Sequence, residues 1–358
     1  MNSMGSNTVR EGIGLQVVRA IAAGLAWLVA GVLAAWSTAA LWFDVRAGGW
    51  VRDLAVALYA VLLLAILFVV RRRWARPLLW AVCFLGVLVW WLQLKPSNTG
   101  DWQADVSRTA WADVHGDQVV IHNVRNCDYR AELDYTCAWE TRSYDLAQLR
   151  GADLYIVYWG SPWIAHTIMS FQFGPKDHIA FSIETRKKVG QVYSAIEGFF
   201  RQYELIYIAA DERDVVRLRT NYRQDEDVYL YHLAASPARA RARFLEYLTR
   251  LNQLHERPEW YNALTRNCTT SFFEQRKVTD GSMPLSDARN WRVLLNGKLD
   301  ELLYRSGVFA AKLPFQELKE RAYINPVARA SGNDPDFSIR IREGRPGFDL
   351  PVPPPASR

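Results

Sequence analysis

The chain has 358 residues, 50% of them hydrophobic, with 43 Lys and Arg against 37 Asp and Glu and a net charge of +6. Such a length exceeds one ordinary domain of about 100–200 residues, so two parts are expected. The basic residues are scattered among carboxylates rather than massed on one stripe, which argues against a nucleic-acid-binding protein.

The first 94 residues or so are almost entirely apolar. Residues 17–43, 51–70 and 76–94 are each long enough to span a bilayer, which needs about 20 apolar residues. The first is too long for a cleaved signal peptide, whose apolar core runs to about 7–15 residues. Arg71, Arg72, Arg73 and Arg76 crowd the loop between the second and third stretches, and positive loops stay cytoplasmic. The first loop, with Asp44, Arg46, Arg52 and Asp53, has no such excess. The N-terminus is therefore expected inside, and everything after Lys95 on the far side. Trp90, Trp91 and Trp102 fit an aromatic belt at the exit interface. The expected organisation is a three-span region at 1–95, a linker at 96–110, an exported α+β domain at 111–343 and a disordered Pro-rich tail at 344–358.

Cys83 falls inside the third span and reads as a packing residue. Cys127 and Cys137 flank a short polar segment and are either a disulfide, in keeping with an oxidising compartment, or two buried thiols. That leaves Cys268 as an odd thiol in an exported domain.

Strand-like runs follow at 119–124 and 154–159. After the break at Gly160-Ser161-Pro162, two alternating runs at 166–173 and 179–185 flank the turn residues Gly174-Pro175-Lys176-Asp177, the pattern of an antiparallel hairpin. Placing Thr167, Met169, Phe171 and Phe173 on the same face as Ile179, Phe181 and Ile183 requires partners of equal parity. The simplest pairing sets Gln172 against His178 and His166 against Glu184, with Cβ atoms about 5 Å apart. The polar face of this hairpin then carries His166, Ser170, Gln172, Ser182 and Glu184. Strands are also expected at 204–210 and 227–234. Ser236-Pro237 caps a helix running to about 254, with Phe244, Leu248 and Leu251 on its apolar side. Beyond Met283 there are few periodic cues.

Cys268 sits in Asn267-Cys268-Thr269-Thr270-Ser271, where capping residues open an apolar run. A thiol in the first turn of a helix is stabilised as thiolate by the helix dipole. A nucleophilic thiol also needs a base, and the base needs a partner to hold its tautomer. His166 with Glu184 supplies such a pair, so Cys268, His166 and Glu184 are the candidate catalytic residues. His178, at the turn, is the alternative base; His115 and His122 lack an acidic partner on their face, and His232 and His255 read as surface or packing residues. Asn267 and Arg186 are the candidate substrate contacts. Arg186, Lys187 and Lys188 follow Glu184 and could meet a phosphate head group, or form a solvated strand end. No Cys or His has metal-ligand spacing beside Cys268, and no Gly-rich phosphate loop occurs, so no metal or cofactor is called for.

The order His166, Glu184, Asn267-Cys268 resembles the circularly permuted papain-like enzymes, such as lecithin:retinol acyltransferase and its relatives. More closely, five blocks resemble the exported-domain family named after Lnb, a lipoprotein N-acyltransferase. They are Ala165-His166-Thr167, Ser182 to Arg186, Phe200 to Leu205, Asp211-Glu212-Arg213, and Trp260-Tyr261-Asn262 leading to Asn267-Cys268-Thr269-Thr270. The resemblance implies a circularly permuted papain-like (NlpC-type) α+β domain with an antiparallel sheet, working at the outer face of a bacterial inner membrane. It implies a Cys268 thioester formed from a phospholipid acyl donor, with His166 as base and then acid and Glu184 orienting it. An amine takes the acyl chain, in that family the N-terminal Cys of a lipoprotein. Two other expectations stand beside it: a cysteine amidase acting on cell-wall peptide, and a non-enzymatic membrane-anchored module.

Overall fold

The computed structural model describes residues 4–160, 165–174, 176–263, 265–266 and 298–348; Asn267 and Cys268 lie outside them. The chain divides into two compact units, Met1–Lys95 with Phe200–Gln202, and Pro96–Phe199 with Tyr203–Arg358.

The first unit consists of α1 (Met4–Asp44), α2 (Gly49–Val69) and α3 (Ala75–Gln93). The segments Gln16–Asp44, Gly49–Val69 and Ala75–Gln93 are long and apolar enough to cross a membrane. Large apolar side chains face outward, among them Leu28 and Phe68, as expected where lipid rather than protein covers a helix. The hydroxyls of Ser37 and Thr38 donate back to the carbonyls of Leu33 and Ala34, each at 2.9 Å, so neither is left unsatisfied. Trp36 packs edge-on against Phe84 and Trp91. At the end of α1, Asp44 accepts from the Trp91 indole at 2.7 Å, from the Arg201 backbone N–H at 3.1 Å and from the Gln202 amide at 2.7 Å. Phe200 lies against Phe43, ring centroids 4.9 Å apart, which ties Phe200–Gln202 to the C-terminal ends of α1 and α3.

The second unit is mixed α/β around a largely antiparallel sheet. Its strands are β1 (Trp111–His115), β2 (Gln118–Tyr129), β3 (Tyr135–Asp145), β4 (Leu149–Trp159), β5 (Ala165–Phe173), β6 (Asp177–Arg186), β7 (Glu204–Ala210) and β8 (Glu226–His232). Their order is β1-β2-β7-β6-β5-β4-β8, with β3 on β2; β2 and β7 run parallel and the other neighbours antiparallel. The hairpin expected from alternation is β5–β6, with Gln172 opposite His178 and Ile168 opposite Ser182. Gly174 turns it at φ +67°, which glycine adopts without a Cβ penalty.

One sheet face presents Met169, Phe171, Phe181 and Ile183 to α5 (Pro237–Glu256), the helix whose Ser236 cap accepts from Arg239 N–H at 3.3 Å. Phe244 is fully buried there, 5.1 Å from both Phe171 and Phe173. The other face is less polar than the hairpin alone suggests. Tyr155, Val157, Ile206, Ile208 and Leu230 add apolar surface to it, and Val215 and Val216 of α4 (Glu212–Arg217) cover it. Further cover comes from Ala328 in α8 (Asn325–Ser331) and Phe337 in α9 (Phe337–Arg340), which follow α6 (Leu299–Arg305) and α7 (Phe315–Ala322). These four helices are 4–8 residues long, too short for a 3.6-residue period to register in sequence. Strand β3 also escapes alternation: among the described strands it pairs with β2 alone, Tyr144 is its one buried residue, and its exposed positions are Thr136, Ala138, Thr141 and Ser143.

Several local details differ from expectation. Residues 96–110 pack on the domain: Asn98 donates to the Leu254 and His255 carbonyls, and Trp102 is buried rather than held in an aromatic belt. Phe348 packs beside His232, ring centroids 5.1 Å apart, so the ordered chain reaches into the tail expected from Gly344 onward; residues 349–358 lie outside the described residues. Cys127 and Cys137 face each other across β2 and β3 and form a disulfide. Closing so short a loop is worth about 2–3 kcal/mol in the chain-entropy account. Replacing both by Ser is expected to lower the thermal midpoint of the detergent-solubilised chain, and reductant should lower the wild type to the same level. Equal midpoints with and without reductant would show that the bond adds nothing.

Candidate functional site

Extending the β5–β6 register two residues past Ile168–Ser182 sets His166 opposite Glu184 at the open end of the hairpin. His166 is 3% exposed, and its Nε2 lies 2.7 Å from Ser182 Oγ and 3.4 Å from Glu184 Oε1. Ser182 Oγ in turn donates to Glu184 Oε1 at 2.6 Å. A carboxylate only accepts, so the Ser182 proton is committed to Glu184 and its oxygen must accept from His166 Nε2–H. In its neutral form the imidazole then carries its proton on Nε2 and its lone pair on Nδ1, and in its protonated form it places a positive charge beside Glu184. Burial pushes the Glu184 carboxyl up, but the neighbouring His166 and Arg219 outweigh it and hold the group well below its ordinary range.

Arg219 shares the same Glu184 oxygen with Ser182. It is buried, donates from Nη2 to Glu184 Oε1 at 2.7 Å, and from Nη1 to Glu226 Oε2 at 3.3 Å. Arg223 Nη1 donates to the other Glu226 oxygen at 3.2 Å. Arg219 sits in the π-helical turn Leu218–Tyr222 that follows α4, the kind of widened turn that recurs at functional sites. Trp159, 38% exposed, lies alongside His166 with ring centroids 6.4 Å apart, so the imidazole stands at the edge of the buried sheet.

Ser182 and Arg219 were not among the expected site residues. A signal for Ser182 existed, since it lies two residues before Glu184 and shares its face. Arg219 lies 35 residues from Glu184 in a segment without periodicity, and nothing local marks it.

The other candidates are placed elsewhere. His178 lies near the turn end of β6, six residues along the hairpin from the position opposite His166, roughly 20 Å at strand spacing. Its Nδ1 lies 3.2 Å from the Lys176 carbonyl, and burial lowers its pKa. Arg186 binds its own domain: Nε, Nη1 and Nη2 donate to Val106 O, Asn98 Oδ1 and Ser107 O at 2.9 Å each, and Trp102 lies 4.5 Å below the guanidinium. Burial pushes it down to about 10. His122 does have an acidic neighbour, Asp113 at 3.1 Å on the adjacent strand. His232 donates to buried Asp153 at 2.6 Å and belongs to a separate network. There, Arg342 clamps Asp153 and Glu212 at 2.7–2.9 Å, and Ser170 and Tyr155 donate to Glu212 at 2.6 and 2.7 Å.

His166 and Glu184 are thus brought together, joined through Ser182 and braced by Arg219, while the expected nucleophile Cys268 and its neighbour Asn267 lie outside the described residues. Residues 135–297 match the model of a family described as the Lnb N-terminal periplasmic domain, a span that contains His166, Ser182, Glu184, Arg219 and Cys268. No curated protein and no solved structure matches the chain.

Proposed function

Because the chain belongs, through residues 135–297, to the Lnb N-terminal periplasmic domain family, we propose that this membrane protein is a thiol acyltransferase of the bacterial inner membrane. Its three N-terminal helices anchor it in that membrane, and its domain faces the periplasm. The domain is read as a circularly permuted papain-like unit, with the strand residue His166 preceding Cys268 in the chain.

The observation that carries this reading is the chain of contacts from His166 through Ser182 to Glu184. With Nε2–H committed to Ser182, His166 offers Nδ1 as a base. Nδ1 takes the Cys268 proton as the thiolate attacks an ester carbonyl of a phospholipid. The imidazolium then protonates the departing lysophospholipid alkoxide, leaving an acyl thioester on Cys268. The acceptor amine attacks that thioester, loses its proton to His166, and releases the thiolate, which regains a proton. Glu184 stays ionised and stabilises the imidazolium in both halves. The acceptor proposed is the N-terminal amine of a lipoprotein.

The test is intact-mass spectrometry of the full chain incubated with phospholipid. The expected adduct is one acyl chain, released by hydroxylamine and absent in Cys268→Ala. No adduct, together with cleavage of cell-wall peptide, would replace transfer by an amidase reaction.

A further inference from the structure

Residues 189–199 link β6 to the segment before β7 and carry a surface that the mechanism does not use. Val189, Val192, Ile196 and Phe199 are exposed, Val192 by 80% and Ile196 by 63%, within eleven residues. Soluble surfaces seldom concentrate large apolar side chains in this way. The loop is nonetheless well built. Tyr203, itself fully buried, accepts at its hydroxyl from Ser194 N–H at 2.9 Å and donates to Glu197 Oε2 at 2.8 Å. Gly198 O accepts from Ala263 N–H at 2.8 Å, and the Gln191 carbonyl accepts from the Gln103 amide at 2.8 Å. Glu197, the one carboxylate in the stretch, is therefore bonded inward while the apolar residues point out.

Three observations identify what covers this surface. The chain has three helices suited to a bilayer, and Phe200–Gln202, which follow the loop directly, belong to that helical unit at the ends of α1 and α3. Lys187 and Lys188 precede the loop and suit anionic head groups. Tyr193 meets Trp159 edge-on with ring centroids 6.5 Å apart, and Trp159 lies alongside His166, so an aromatic track joins the loop to the base. We infer that residues 189–199 seat the domain in the periplasmic leaflet of a phospholipid bilayer and admit acyl chains toward His166. The second half of this inference rests on the proposed acyl transfer; the membrane seat does not.

The test uses the full chain in vesicles of phosphatidylethanolamine and phosphatidylglycerol, with Cys83 and Cys268 replaced by Ala. An environment-sensitive fluorophore on Ile196→Cys is expected to emit to the blue and to be quenched about twofold by spin-labelled acyl chains. The same probe on Leu133→Cys, 91% exposed on the β2–β3 turn, should remain unquenched. Equal behaviour at the two positions would overturn the membrane seat and leave the patch to a protein partner. Val192→Asp with Ile196→Asp, in the chain with its cysteines intact, is expected to cut Cys268 acylation from vesicle phospholipid about tenfold. Acylation from a monomeric short-chain phospholipid should be unchanged, and an equal loss with both donors would overturn the entry role. Quenching without any acyl adduct in the unaltered chain would keep the seat and remove the acyl-transfer chemistry, whereas an adduct without quenching would do the reverse.

Discussion

His166→Ala is expected to slow thioester formation on Cys268 by about 10²–10⁴-fold, the usual contribution of a positioned general base. The prediction follows from what the imidazole is attached to. Ser182 and Glu184 fix its proton on Nε2, and Arg219 keeps Glu184 ionised and in place. Ser182→Ala removes the bridge but leaves Glu184 Oε1 3.4 Å from Nε2, so a loss of about tenfold is expected, short of the loss from removing the base. Its signature is a changed pH profile rather than a uniform drop, since Ser182 positions the base without touching the substrate.

Glu184 contributes to acylation with a pH dependence of definite sign. Its carboxyl is held well below the ordinary range, so its contribution is fully present above the ordinary carboxylate pKa. That contribution is lost only as pH falls through the depressed value. An acid limb of the acylation rate near neutral pH therefore belongs to another group. A single-turnover pH series on wild type and Glu184→Gln decides this: the limb is expected at the same pH in both, and its loss in the variant would assign it to Glu184 after all. An unchanged rate in His166→Ala would remove the proposed base altogether.

The second large effect lies in stability. Arg342→Met is expected to cost about 3–5 kcal/mol, because it leaves buried carboxylates without their cation. Arg342 makes four hydrogen bonds of 2.7–2.9 Å to Asp153 and Glu212, all three residues being buried. Burial alone would raise both carboxyl pKa values; in the wild type Arg342 is the largest opposing influence and holds both below the ordinary range. Their stabilisation is therefore present above the ordinary carboxylate pKa and lost only in stronger acid. In the variant the opposing charge is gone, the folded pKa values rise, and protonation becomes the cheaper state. The stability gap between wild type and variant should accordingly narrow from pH 8 to pH 5, as measured by denaturant unfolding of the detergent-solubilised chain. A gap that stays constant across that range would mean the cost is lost packing, not unpaired charge. Ser170 of this network lies four residues along β5 from His166, about 13 Å at strand spacing, so the acylation rate per folded molecule should change little.

Much of the candidate site was legible because strands carry a period of two. The parity of Met169, Phe171, Phe181 and Ile183 narrows the choice to equal-parity pairings, of which the simplest sets Gln172 against His178 and His166 against Glu184, and the structure has that register. Arg186 shows where such reasoning stops. Its position beside Glu184 suggested a ligand contact, but its donors go to residues about 80–90 positions away, which no local pattern encodes. Trp102 is similar: an aromatic just past a span reads as a belt residue until the domain that buries it is in view.

By itself, then, the sequence determined three spans long enough for a bilayer, the hairpin with its register, and the capped α5, because each depends on spacing within one segment. Only the tertiary structure decided that Ser182 bridges His166 to Glu184, that Arg219 braces the carboxylate, that Cys127 and Cys137 are joined, and that residues 189–199 keep their apolar side chains in the open. Those outcomes depend on side-chain geometry and on elements distant in the chain meeting on one sheet. Their energetics come from burial and charge in three dimensions, which spacing records only in part: it puts Ser182 on the face of Glu184 and Cys127 near Cys137, and leaves Arg219 unmarked.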